Sequence, residues 1–338
     1  MKQRALAVLA AAFLSACGGG GGDNGGGASN PLPGGPSVPA GTNSLAGLVF
    51  YDQNGNGTLE ADEKVRLPGV RVAAAGQTAT SDAAGQFSLG GLAGGSQAVT
   101  AQTDSLPPYY QPGAPVSATL PAAAGTVVAV PVTLAIGGNR PNKYLAFGDS
   151  ITEGTGSAAR RGWTTPLEER LRAHFGEAEV IVDGVRGSRS VDGIERLPAS
   201  LSASRPAYIL VLYGTNDWNR CQSTPTEPCF TIAALRDTIR NARAAGTQAV
   251  VGTIIPTNPA YTDRMPVERN RWVALQNDLI RTMVQQEGAV LAETAAGFGT
   301  DPTLWPPLFF DQLHPVEAGY ARITDAFFQA ITRSRGTR

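Results

Sequence analysis

Three short stretches hold residue types that could do chemistry together. Phe147-Gly148-Asp149-Ser150 closes one apolar run, and Gly214-Thr215-Asn216-Asp217 closes another. Asp311-Gln312-Leu313-His314-Pro315 stands before the last helical stretch. A serine hydroxyl becomes a useful nucleophile when a base takes its proton. The base needs an acid to orient it, and the transition-state oxyanion needs N–H donors. Ser150 offers the hydroxyl, His314 the base, Asp311 the acid one turn away, and Asn216 an amide donor. Taken alone, Ser150 also reads as a helix N-cap and Asn216 as a turn residue. Asp149 and Asp217 read as local hydrogen-bonding partners of their own turns. The other histidine, His174, falls in a last helical turn, where a cation suits the helix dipole and strand ends are far away.

Composition narrows the field. The 338 residues carry a formal charge of −1, so no basic surface points to nucleic acid. Two histidines argue against a multi-histidine metal centre, and three cysteines exclude a four-cysteine zinc site. With 42% hydrophobic residues the chain can bury a core, and its length suits two modest domains.

The elements that must position the triad lie after residue 143. Apolar runs at 144–147, 180–182, 208–212, 249–255 and 289–292 alternate with helical stretches. One helix reads as framed by Thr165 as N-cap, Pro166 at the first position, Glu168 in a capping box and Gly176 as the stop. Another, 267–287, sets Trp272, Leu275, Leu279 and Met283 on one stripe, read as core. The last places Ile323, Phe327 and Ile331 in a stripe. Five strand–helix units predict an α/β fold, a flavodoxin-like three-layer sandwich around a five-stranded parallel sheet. Ligand chemistry then belongs at the carboxyl ends of the strands, where Ser150 and Asn216 fall.

Residues 44–136 read differently. Candidate strands at 45–51, 70–75, 86–89, 98–102, 116–120 and 127–134, broken by turn signals, predict a small N-terminal β-sandwich. Residues 137–142 read as a hinge to the unit 143–338.

Residues 143–338 resemble the SGNH hydrolases of the GDSL lipase/esterase type. Ser150 matches the nucleophile of the first block. Asp183-Gly184-Val185-Arg186-Gly187 matches the second, with Gly187 as an oxyanion N–H donor. Asn216 matches the third, and Asp311 and His314 the fifth. The second block of that family usually opens with Asn, where this chain has Asp183. The resemblance implies two-step acyl transfer without a cofactor. The oxyanion would be held by Ser150, Gly187 and Asn216. Ser150 is not in a G-x-S-x-G setting, which argues against a nucleophile elbow. The family takes lipid, thioester, aryl and acetylated-sugar esters. A surface-tethered serine esterase is therefore expected, with a carbohydrate O-acetyl esterase as the alternative. A rival of another class is a calcium-dependent adhesive protein with an idle hydrolase scaffold. Trp163, Trp218, Tyr261 and the stretch 305–310 are candidate pocket residues, with Phe309 and Phe310 also readable as core.

Residues 52–63 fit the twelve-position calcium loop. Oxygens would come from Asp52, Asn54, Asn56, the Thr58 carbonyl and Glu63, with Gly57 at the sharp turn. A polar Asn-Gly turn is the plainer reading. With Gly47-Leu48-Val49-Phe50-Tyr51, Leu67-Pro68-Gly69-Val70 and Thr80-Ser81-Asp82 nearby, the segment resembles an SdrD B-like domain of surface adhesins. That resemblance implies structural Ca2+ in a spacer or binding module, remote from the triad.

The start of the chain reads as an address. Lys2 and Arg4 precede an apolar run, 5–14, too short to span a bilayer. Leu14-Ser15-Ala16-Cys17 is similar to a bacterial lipobox, which implies a signal peptide over 1–16 and lipid on Cys17. Gly18 then favours the outer membrane or cell surface by the same likeness. Residues 17–43, rich in glycine, read as a flexible tether. An exported chain meets an oxidising compartment, so Cys221 and Cys229 are expected to close a disulfide, two free thiols being the alternative. The segment 219–228 could then form a rim or lid after Asn216.

Overall fold

Strand β9, Arg140–Gly148, is the first of five that form one sheet with β10 (Glu179–Gly184), β11 (Pro206–Leu212), β12 (Gln248–Gly252) and β13 (Val290–Ala292). This computed structural model of the protein describes residues 41–222 and 229–337. Residues 1–16, read as a signal peptide, Cys17 and most of the segment read as a tether lie outside them, as does most of 219–228.

The sheet order is β10-β9-β11-β12-β13, with every neighbouring pair parallel. This is the flavodoxin-like order. Parallel strands covered on both faces must be apolar throughout, and β11, PAYILVL, is buried along its whole length. Helices α3 (Ser190–Ser204), α5 (Thr231–Ala244) and α6 (Pro266–Gln286) pack Leu197, Leu235, Ile239 and Ile280 against the sheet in one core cluster. Helices α2 (Thr164–Phe175) and α7 (Glu317–Thr332) contribute Leu167, Leu171, Phe175, Ile323, Phe327 and Ile331 to another. The chain leaves β9 for β10 on one side and then crosses to β11 on the other. The crevice at that switch point is where Ser150 and Asn216 emerge.

Two helices differ from expectation. Helix α2 starts at Thr164 and its N-cap position is Trp163, with no side-chain cap. Glu168 makes no capping box: it accepts from Val180 N at 2.8 Å and pairs with Arg172, tying α2 to β10. Gly176 does end the helix, at φ +87°. On α6 the expected core stripe is wrong in part. Leu275 and Leu279 are 59% and 50% exposed, whereas Gln276 and Asn277 are buried. The reason is polar: Asn277 Oδ1 accepts from Ile254 N at 2.7 Å and its Nδ2 donates to Ile254 O at 2.9 Å. Asn277 thereby satisfies both backbone groups of Ile254, just beyond β12, and turns the helix to do so.

Ahead of the sheet, two four-stranded sheets form the β-region. One is β4-β1-β8-β6, from β1 (Asn43–Tyr51), β4 (Gln86–Leu92), β6 (Tyr110–Pro112) and β8 (Val127–Leu134). The other is β3-β2-β5-β7, from β2 (Arg71–Ala74), β3 (Gln77–Thr80), β5 (Gly95–Ala101) and β7 (Val116–Leu120). Strands β3 and β6 carry no apolar alternation, β3 because its residues are largely exposed, β6 because it is three residues long and ends in proline.

Aromatic rings join this region to the α/β unit. Tyr51 meets Tyr110 edge-on at 5.5 Å, Tyr110 lies 6.4 Å from Phe175, and Tyr144 stacks on Tyr208 at 5.0 Å. Tyr109 donates its hydroxyl to Ala249 O at 2.5 Å. The described residues make one compact unit. Strand β9 already begins at Arg140, inside the segment read as a hinge. Among the described residues no helix is long and apolar enough to cross a membrane.

Candidate active site

Gly148 ends β9 with no room for a side chain: a Cβ there would lie 2.1 Å from Thr152 Oγ1 and 2.5 Å from Leu212 O. The chain then turns at once into α1 (Ser150–Glu153). Asp149 is the N-cap, its Oδ1 accepting from Ile151 N at 2.9 Å. Ser150 is therefore the first helical residue, and its N–H has no intrahelical acceptor.

The turn from Asp311 to His314 is set by the same acid. Asp311 Oδ1 accepts from Leu313 N and His314 N, each at 2.8 Å, which holds the backbone in a tight loop. Its other oxygen, Oδ2, lies 2.7 Å from His314 Nδ1. His314 Nε2 in turn lies 2.9 Å from Ser150 Oγ. One hydrogen-bonded line thus joins residues 164 positions apart in sequence. Burial pushes the Asp311 carboxyl up, but the His314 backbone N–H, the His314 ring and the Leu313 N–H outweigh it, and the net shift is downward. The acid stays ionised and fixes the imidazole with Nδ1 protonated and Nε2 facing Ser150.

The structure brings the expected oxyanion residues to the same crevice. β10 pairs with β9 up to Gly184↔Gly148, and the next residues turn, Ser188 N donating to Val185 O at 3.1 Å. Gly187 sits in that turn at φ +70°, a conformation that favours glycine, and is itself exposed. Asn216, after β11, places Nδ2 3.0 Å from Ser188 O and 3.2 Å from Asp149 Oδ2. Both neighbours are acceptors, which fixes which end of the amide faces them.

Asp183, standing where the second block usually has Asn, forms an ion pair with Arg196. Arg196 Nη2 also donates to Gly148 O at 3.0 Å, Asp183 O at 2.9 Å and Tyr213 Oη at 2.7 Å. Its guanidinium lies 4.0 Å above the Phe147 ring. Asp183 is thus answered by a cation that clamps the ends of β9 and β10. Nothing local announced Arg196, which lies 13 residues on in α3.

Two buried acids underlie the site. Asp217, fully buried, accepts from Ser190 N at 2.9 Å, Ser190 Oγ at 2.6 Å and Thr231 Oγ1 at 2.6 Å. It joins the starts of α3 and α5 rather than only its own turn. Asp149 is 1% exposed. Burial pushes its pKa up to about 7; Asp217 adds to this, while the Ile151 N–H and Arg269 oppose it. Arg269, itself buried, is lowered to about 10 by desolvation and donates to Thr215 O at 2.5 Å.

Other expectations fare unevenly. The disulfide Cys221–Cys229 is formed, with Cα atoms 5.5 Å apart. Trp163 is not a pocket residue: it is fully buried and stacks on Phe327 at 4.5 Å. Trp305 and Phe309 are core, whereas Phe310 is 64% exposed beside Asp311 and Tyr261 is 38% exposed. Trp218 is buried 5.8 Å from Trp272. His174 is held between Phe175 and Phe328, and burial lowers its pKa, working against the cation expected at that helix end.

The loop 52–63 takes the form of a polar turn. Asp52 accepts from Gly55 N and Gly57 N at 2.7 and 2.8 Å, and Glu63 from Gln53 N and Glu60 N at 2.7 and 3.0 Å. Asn54 and Asn56 donate to Glu60, and their oxygens accept from Asn56 N and Thr58 N. Among the described residues no group of three His, Cys, Asp or Glu is placed to hold a metal. The expected ligands satisfy the loop instead of converging. The donor chemistry still suits a hard cation, since Asp52 and Glu63 are 3% and 2% exposed and neither is paired with a Lys or Arg among the described residues.

A flavodoxin-like sheet with Ser, His and Asp aligned at its switch point defines the hydrolase class to which comparison also leads. The chain belongs to the GDSL-like lipase/acylhydrolase family, whose model matches residues 146–322. Esterase TesA of Pseudomonas aeruginosa is 30% identical over 122 residues, 35% of this chain and 59% of that protein. Thioesterase 1/protease 1/lysophospholipase L1 of Escherichia coli is 29% identical over 115 residues, 34% of this chain and 52% of the relative. The chain thus spans about half of the length of the curated relatives it matches. Axe2, an acetylxylan esterase from Geobacillus stearothermophilus, aligns in structure with a TM-score of 0.47 and 19% identity, over 59% of this chain and 96% of that one.

Proposed function

We propose that this protein is a serine esterase that hydrolyses carboxylic esters through Ser150, His314 and Asp311. The observation that carries this is the continuous line from Asp311 Oδ2 through His314, at 2.7 Å, to Ser150 Oγ, at 2.9 Å. Ser150 attacks the ester carbonyl while His314 Nε2 takes its proton. The Ser150 N–H, the Gly187 N–H and the Asn216 amide hold the oxyanion. His314 then protonates the leaving alkoxide, and water, deprotonated by His314, releases the acid. Asp311 keeps the imidazole in the tautomer this requires.

A p-nitrophenyl ester series from acetyl to palmitoyl, run beside Ser150→Ala, tests the reading. Turnover lost in the variant supports it. Turnover that persists, or none at any chain length, contradicts it. An acetyl preference would favour a carbohydrate O-acetyl esterase, and a long-chain preference a lipase.

Two further readings belong to the same proposal. Lipid on Cys17 would tether the enzyme at the membrane surface, and Cys17→Ser should then release it from the membrane fraction. In the SdrD B-like region, Asp52, Asn54, Asn56, the Thr58 carbonyl and Glu63 would hold Ca2+. The support is the burial of Asp52 and Glu63 without a cationic partner. Added calcium should raise the melting temperature of the wild type and not of Asp52→Ala. An unchanged melting temperature removes calcium from the account.

A further inference from the structure

We propose that Asp149 is a positioning residue of the oxyanion hole, fixing the Ser150 N–H and the Asn216 amide from one buried carboxylate. The proposal rests on the esterase reading above. Its two oxygens have separate tasks. Oδ1 accepts from Ile151 N at 2.9 Å and so sets the first turn of α1, which aims the Ser150 N–H. Oδ2 lies 3.2 Å from Asn216 Nδ2. The remaining partner of that nitrogen is Ser188 O at 3.0 Å, one residue beyond Gly187. A single amide nitrogen is therefore tied to the segments that carry the other two oxyanion donors.

The tie matters because of the amide's own asymmetry. The terminal torsion of Asn is broad, and a half-turn exchanges a donor for an acceptor. An Asn216 turned about would present Oδ1 to the oxyanion and repel it. The Asp149 carboxylate, an acceptor when ionised, rejects that orientation. Asn216 donates to an oxyanion by sharing a hydrogen, and the longer contact, to Asp149, is the one a developing charge draws on.

An N-cap alone does not call for this residue. Ser, Thr or Asn would cap α1 without a buried charge. Asp149 is 1% exposed, stands near the buried Asp217, and makes no ion pair at contact distance among the described residues. Such a group is costly to bury, and its burial is accounted for by the second contact.

A double-mutant cycle on ester turnover tests it. Asn216→Ala should lower kcat by about 10²–10³. Asp149→Ala should lower kcat by roughly tenfold or more, with KM nearly unchanged, since the loss falls on the transition state. In the Asn216→Ala background, Asp149→Ala should cost clearly less than in the wild type, the remainder being the loss of the turn that aims the Ser150 N–H. Equal fold-losses in both backgrounds would mean a general structural role and overturn the proposal. Asp149→Asn, close in shape, guards against misfolding; it should give an intermediate loss, because its one oxygen cannot serve both partners. A second readout needs no turnover. The side-chain amide resonances of Asn216, assigned by their absence in Asn216→Ala, should shift in folded Asp149→Asn. Unmoved resonances overturn the proposal even if no ester proves to be a substrate.

Discussion

Asp311 and His314 form their contact through local geometry that a short motif already encodes, and Ser150 meets His314 from 164 positions away. Asp311 caps the backbone of His314 from three residues away, so the acid–base pair is built within one loop. That locality is why Asp311 and His314 stood out as a pair in the sequence, whereas Ser150 was joined to them through the likeness of its motif to the family's first block. The contacts that support the triad were not legible, because they join distant segments: Asp149 to Asn216 across 67 positions, and Arg196 to Gly148 across 48. Replacing Asp311 with Asn should lower kcat by about 10⁴, as the imidazole is then held in the wrong tautomer. Steady-state kinetics with the protein shown to be folded would check it. Asp149 makes a prediction of opposite character. A carboxyl at about 7 when folded, against roughly 3.9 unfolded, binds its proton more tightly in the native state. Stability contributed by that proton is present below the unfolded value and is lost as pH rises through the folded one. Asp149→Asn removes this dependence. Its melting temperature relative to the wild type should therefore improve from about pH 5 to about pH 8. A constant or falling difference over that range would mean that burial does not raise the Asp149 carboxyl.

At the scale of elements, α6 shows where pattern reading stops. Trp272, Leu275, Leu279 and Met283 look like a core stripe, yet the face that docks carries Arg269, Gln276 and Asn277 beside Val273 and Ile280. A side chain that satisfies the backbone groups just beyond the strand outweighs two leucines, because leaving a buried N–H and C=O unpaired costs about 1–3 kcal/mol each. Asn277→Ala should thus destabilise the protein by roughly 2–4 kcal/mol, combining the unpaired groups with lost packing. Leu275→Gln and Leu279→Gln should each stay within about 0.5 kcal/mol of the wild type. Urea unfolding curves separate the two cases, and a large loss at Leu275 would restore the stripe. Helix α2 teaches the same lesson: Glu168 has the spacing of a capping box but is drawn to Val180 N of β10. Period and capping signals locate helices well. They do not decide which polar group a neighbouring strand will claim.

Across the whole molecule, the alternation of strands and helices predicted the parallel sheet, and the sheet order then fixes where the site must lie. What the sequence did not announce is how the β-region meets the α/β unit. Tyr51, Tyr110, Tyr144 and Tyr208 are each no more than 2% exposed, and Phe175 of α2 joins the same core. Aromatic residues scattered over four strands show no spacing that betrays a shared junction. Tyr110→Ala should therefore cost about 3–5 kcal/mol, in the range for a buried aromatic. Calorimetry of the wild type should show one cooperative transition, and two well-separated transitions would contradict a common core.

The central claim is that Ser150 is a nucleophile activated by His314. A fluorophosphonate ester reports this directly, because it reacts with an activated serine and leaves a covalent mass tag. Intact-mass and peptide analysis of the wild type should show one adduct, on Ser150. The tag should be absent from Ser150→Ala and form about a hundredfold more slowly in His314→Ala. An adduct on another residue, or an unchanged rate without His314, would contradict the account.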